Sequence, residues 1–187
     1  MVKADSFLFA WASRTPPDWP NVEKENVIVV NAACPLESAY VPSYRAYHHQ
    51  LLPRTLRVLV PGCTGFDIQR TDDKTLVMQS QGPNIFSCDN VGPIHITYAF
   101  SAFTLAGAEP KCKKGDRYNL GGLTVEVLET DASDLPSRVA FRFNTSLDSP
   151  DFRWIWFDWR TSSSKPFKVP SIGQSVTLAG PAERNGR

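Results

Sequence analysis

In this chain apolar residues recur at every second position over long stretches, and that period decides what the chain can fold into. Leu123, Val125 and Val127 alternate with Thr124 and Glu126. After a polar loop at 130–137, Val139, Phe141 and Phe143 return, with Arg138 and Arg142 on the opposite parity. Successive side chains of an extended strand point to opposite faces, so each run has one apolar face and one wetted face. Two such runs around one loop predict an antiparallel hairpin. An earlier stretch repeats the pattern. Leu56, Val58 and Val60 alternate with Arg57 and Leu59. Phe66 and Ile68 then lead through Arg70-Thr71-Asp72-Asp73-Lys74 to Leu76 and Met78. That predicts a hairpin about an Asp-rich turn, where Asp side chains bond nearby backbone amides.

The remaining elements follow the same logic. Residues 27–30 are continuously apolar, as expected of a central strand. Phe152, Trp154 and Trp156 share one parity, and Ile155, Phe157 and Trp159 the other. That strand is apolar on both faces and reads first as core. A final strand is expected at 175–178, after a Ser/Lys/Pro loop. Residues 43–52 are the best helix candidate: Tyr44, Tyr47 and Leu51 lie on one face, Ser43 can cap the start and Pro53 ends it. The 15 Pro and 11 Gly punctuate short segments. The expected fold is mainly β, an antiparallel β-sandwich or barrel with one or two short helices. Residues 1–26 read as an extended lead-in, 27–180 as the β-rich domain and 181–187 as a tail. The stretch Lys111-Cys112-Lys113-Lys114-Gly115 marks a subdivision near 105–115 or simply a long loop.

Several function classes lose support. A formal net charge of +1 argues against nucleic acid, which selects a basic face. The N-terminus lacks a signal peptide's apolar region. Residues 91–108 carry no Asp, Glu, Lys or Arg and reach the minimum length for a membrane span. Their interior alternates instead, with Ile94, Ile96, Tyr98 and Phe100 on one parity, so a strand is expected. Nucleophile-elbow, phosphate-loop, dinucleotide and zinc-protease motifs are all missing, which points away from an enzyme, and no cofactor is implied.

The residues able to do chemistry are few. His48 and His49 are adjacent and cannot jointly chelate one ion, and His95 reads as a solvent-facing strand residue, so no metal site is expected. Asp72 and Asp73 fit a turn. Asp148, Asp151 and Asp158 surround the Trp-rich strand and are, with His95, the only candidates for a hydrolase of unknown class. The basic loop Lys111, Lys113, Lys114 and Arg117 reads as a solvated turn, with anionic headgroups as the sharper alternative. Asn144-Thr145-Ser146 matches the glycosylation pattern. Were one face of Trp154, Trp156 and Trp159 exposed, it could stack on a sugar ring, making a carbohydrate-binding module. Cys34, Cys63, Cys88 and Cys112 are disulfide candidates: one or two bridges in an oxidising compartment, or four unrelated thiols in a reducing one, with three full pairings open.

One resemblance bears on context. It rests on Leu56, Pro61-Gly62, Arg70-Thr71-Asp72, Thr75-Leu76, Gly115-Asp116, Gly122-Leu123-Thr124-Val125-Glu126-Val127, Val139-Ala140-Phe141-Arg142-Phe143, Trp154, Trp156, Pro170 and Ile172-Gly173. In these the chain resembles the soluble C-terminal β-rich domain of uncharacterised bacterial polytopic membrane proteins. The resemblance covers about two-thirds of the sequence and brings no functional residues with it. It implies an excised segment of a longer protein, on the periplasmic or cell-surface side, anchored through flanking segments. The function expected is therefore a non-enzymatic extracytoplasmic binding module. Its partner would be an unknown protein or envelope component, with a glycan as the alternative.

Overall fold

The computed structural model describes residues 21–33, 37–62, 64–85 and 112–181. In chain order the elements are β1 (Asn26–Ala32), α1 (Glu37–Tyr47), β2 (Thr55–Pro61), β3 (Phe66–Arg70) and β4 (Thr75–Ser80). They continue with β5 (Arg117–Asn119), β6 (Leu123–Thr130), β7 (Pro136–Phe143), β8 (Phe152–Asp158), β9 (Ser163–Pro166) and β10 (Ser175–Leu178). A 3-10 turn, Val22–Lys24, precedes β1.

The alternating runs build one sheet, in the order β10-β3-β4-β7-β6-β5, every neighbour antiparallel. Both expected hairpins are in it. Ile68 stands opposite Met78, and Val125 opposite Phe141. At the first turn the Lys74 amide donates to Asp72 Oδ1 at 2.8 Å, the local bond for which Asp is favoured. The inward parity carries Phe66, Ile68, Leu76, Met78, Leu123, Val139, Phe141 and Phe143, all buried. The outward face carries ion pairs: Glu126 with Arg117 at 3.0 Å and Arg142 at 3.4 Å, and, past a register shift after Val127, Glu129 with Arg138 at 3.1 Å.

The second sheet has the order β2-β1-β8-β9. β1 is central, as its unbroken apolar run predicts, but it runs parallel to both β2 and β8. Only β8 and β9 form an antiparallel pair. The fully antiparallel arrangement expected from sequence therefore holds for one sheet and not the other. A parallel neighbour needs a crossover, and α1 supplies it between β1 and β2. The Ser/Lys/Pro loop expected after β8 contains β9.

The sheets pack face to face. Ile28, Val30, Val60 and Trp154 from the parallel side join Phe66, Ile68, Met78 and Phe143 in one core. Phe143 meets Trp154 edge to face, with ring centroids 5.4 Å apart. On the other side of β1, Val27, Val29 and Ile155 form a second cluster with Val22. Among the described residues the result is a mainly β, sandwich-like fold of two sheets and one helix, without a closed barrel. Each sheet takes strands from both sides of residues 105–115. The described residues thus form a single two-sheet unit rather than two subdomains divided there.

Helix α1 begins six residues before the expected start at residue 43 and ends at Tyr47. Pro42 lies inside it. A proline there removes one i→i−4 bond, which reads in sequence as a break. The flanking turns carry the helix through. It ends where His49 adopts φ 53°, a left-handed cap, ahead of Pro53.

Candidate functional site

The carboxyl edge of the parallel strands concentrates buried polar groups. The β1–β2 ladder runs to Ala32 opposite Pro61, but the β1–β8 ladder stops at Val29 opposite Ile155. Beyond that point Asn31 takes over. Its side chain is fully buried. Nδ2 donates to the Phe157 carbonyl at 3.1 Å, and Oδ1 accepts the Phe157 amide at 3.0 Å. A carboxamide carries the same donor and acceptor as a peptide group, so it replaces the ladder where the two backbones part.

Trp159 follows β8 and packs edge-on against Phe157, centroids 5.0 Å apart. It is 4% exposed, and its Nε1–H has no hydrogen-bond partner among the described residues. Leaving such a donor unpaired costs about 1–3 kcal/mol. Nε1 lies beside Gly62, at the exit of β2. A Cβ on Gly62 would stand 3.3 Å from Nε1 and 2.3 Å from the Ala32 carbonyl oxygen. The Gly62 amide donates to that same carbonyl at 2.6 Å. The indole thus crosses the end of β1, and only glycine leaves room for it. Because β1 and β2 are parallel, the connection that holds α1 returns from this edge to the start of β2, and α1 packs against β2.

Next along the chain, Asp158 is 4% exposed. It accepts from Lys165 Nζ at 2.6 Å, the Arg160 amide at 2.9 Å and the Thr161 hydroxyl at 3.1 Å. Burial alone would raise its carboxyl. The Lys165 ammonium and the two other donors outweigh that and hold it below the ordinary Asp value.

The residues singled out from sequence are not gathered here. Trp154 is 9% exposed and its indole donates to the Leu147 carbonyl at 3.0 Å, while Trp156 is half-buried against the same core. With Trp159 also buried, the strand offers no stacked row of indoles to a sugar, and the core reading of its aromatics is what the packing shows. Asp151 and Asp158 stand at opposite ends of β8, roughly 23 Å apart at ~3.3 Å per residue. That is far beyond a glycosidase pair. Asp148 forms a two-point ion pair with Arg70, at 3.0 and 2.7 Å, which holds its carboxyl below the usual range. His48 and His49 are exposed, and His48 stacks on Tyr44 at 4.2 Å. No group of three metal-ligating residues occurs among the described residues.

Among the cysteines, Cys112 is buried and its Sγ takes the Tyr118 hydroxyl at 3.4 Å. That bond, with burial, pushes the Tyr118 phenol up to about 12. No disulfide is seen among the described residues. Cys34, Cys63, Cys88, His95 and the stretch 91–108 lie outside the described residues. No described helix is long and apolar enough to cross a membrane.

Sequence reasoning passed over Asn31, Gly62 and Arg70. Asn31 ends the apolar run of β1, and a polar residue inside a central strand is itself a signal. Arg70 is 4% exposed at the end of an inward-facing row. Besides Asp148, it donates to the carbonyls of Asp72 at 3.1 Å and Pro170 at 3.4 Å, tying three loops together. No family model, curated protein or solved structure matches the chain.

Proposed function

We propose that this chain is a non-enzymatic, extracytoplasmic β-rich interaction module, the soluble part of a larger membrane protein, that binds a partner protein or envelope component. The observation that carries the reading is a set of exposed apolar side chains at the end of α1 and just beyond it, where Tyr47, Leu51 and Leu52 are 80%, 56% and 43% exposed. Exposed His48, His49 and Arg54 lie in the same segment. Apolar groups gathered on a short segment among polar ones are typical of a contact surface. The segment is also held in place. Arg45 Nε donates to the Leu51 carbonyl at 2.7 Å, and the Gln50 amide to the Arg45 carbonyl at 2.8 Å. A surface ordered beforehand loses less entropy on binding.

The charged groups support the non-enzymatic half of the reading. Asp148, Asp158 and Glu25 each bind a cation, with Arg153 Nη2 2.9 Å from Glu25. Paired carboxylates of this kind act as struts. The extracytoplasmic half rests on the resemblance and on the cysteines. Thiol titration of the denatured protein, with and without reductant, tests it: oxidised cysteines support it, and four reactive thiols count against it.

The interaction is tested with a photo-crosslinking side chain at position 47 or 51 of the protein in its native envelope, with position 177 as control. Defined adducts from 47 and 51 alone are expected. Equal or absent labelling at all three would overturn the assignment of that surface.

A further inference from the structure

We infer that the carboxyl edge of β1, β2 and β8 is a binding site for a small oxyanion, a carboxylate or a phosphate group. Three independent observations converge there. The first is topology. The chain leaves β1 by the α1 crossover toward β2 and leaves β8 by a tight turn into the antiparallel β9, so the two connections diverge from the β1–β8 boundary at this edge. The second is the parting of the strands. The β1–β8 ladder ends early, and the Asn31 carboxamide holds Phe157 in its stead, so the backbones separate at this edge without leaving unpaired groups.

The third is the Trp159 Nε1–H, a buried donor with no acceptor among the described residues, lying beside the side-chain-free Gly62. Buried polar groups in native proteins are satisfied, so an orphaned one calls for an acceptor. Indole N–H donates only, so the ligand atom it selects is an oxygen with a free lone pair. α1, a helix of 11 residues, starts five residues after the end of β1, and a helix N-terminus favours negative charge. Together these select an anionic oxygen over a neutral carbonyl. This inference stands apart from the interaction-module reading, which concerns the surface at Tyr47, Leu51 and Leu52.

The test follows the indole N–H resonances of the unmodified protein by two-dimensional NMR. The Trp159 signal is assigned through its contact with Gly62. Sodium phosphate and sodium acetate are titrated in parallel against sodium chloride at matched ionic strength. A saturable shift of the Trp159 signal with phosphate or acetate, and not with chloride, is expected. The arm that saturates at lower concentration names the group. A Trp159 signal that stays still, or follows all three salts alike, would overturn the site. Either result leaves the crosslinking test at positions 47 and 51 unaffected.

Discussion

The two sheets of this molecule are built from equally apolar strands, yet they solve different problems. The β10-β3-β4-β7-β6-β5 sheet has a dry inward face and an outward face that carries ion pairs on β5, β6 and β7, with Thr75, Val77 and Ala140 buried at its centre. Of its outward ion pairs, Arg138 with Glu129 is exposed on both partners, at 38% and 50%. The β2-β1-β8-β9 sheet is covered on both sides of β1, where every residue from Val27 to Ala32 is buried. Its polar groups are therefore inside and must be satisfied by specific partners. An exposed outward ion pair of the first sheet should then be nearly neutral, and a buried polar contact at the carboxyl edge of the second decisive.

Substitutions can break or sharpen that contrast. Asn31→Ala removes both of its hydrogen bonds to the buried Phe157 peptide and should cost about 3 kcal/mol in urea unfolding. Arg70→Ala, which frees three loops at the rim of the antiparallel sheet, should cost about 2 kcal/mol, because Asp148 is exposed and is rehydrated. Gly62→Ala drives a methyl group into the Ala32 carbonyl, with a loss of similar size, about 2 kcal/mol. Glu129→Ala should change stability by no more than about 0.5 kcal/mol. A large effect at Glu129, or a negligible one at Asn31, would erase the distinction between the sheets.

A smaller effect is expected from acid. The Asp158 carboxyl has a folded pKa below its ordinary value of 3.8. Its contribution is thus fully present above that value and is lost as pH falls through the lower folded value. Unfolding midpoints of Asp158→Asn, measured from neutral pH to below the ordinary value, should lie under those of the parent at neutral pH and converge on them in acid. Parallel curves across the whole range would show that the Lys165 contact adds nothing.

The contrast also explains what could be read from sequence. The hairpins at Phe66–Ser80 and Leu123–Phe143 were legible because one wetted face imposes a strict period of two. β1 and β8 were legible as central, since both of their parities are apolar. Their parallel pairing was not, because the partners lie far apart in the chain and periodicity carries no direction. One clue existed: a strand at 27–30, a helix and a strand at 56–60 follow the order of a parallel crossover. The helix itself was displaced because Ser43 reads as an N-cap and Pro42 before it as a break, whereas the helix runs through both. The site at the carboxyl edge was the least legible. It depends on Gly62 and Trp159, about a hundred residues apart in sequence, meeting over the end of β1. Trp159 was noted only for its aromatic ring, not for its N–H.

The central claim is that β1 lies between two parallel neighbours, and backbone NOEs test it most directly. The account predicts contacts in parallel register on both sides at once, Val27 with Leu56 and Ile28 with Trp154. Antiparallel contacts across either pair, or a β1 with a neighbour on one side only, would contradict it.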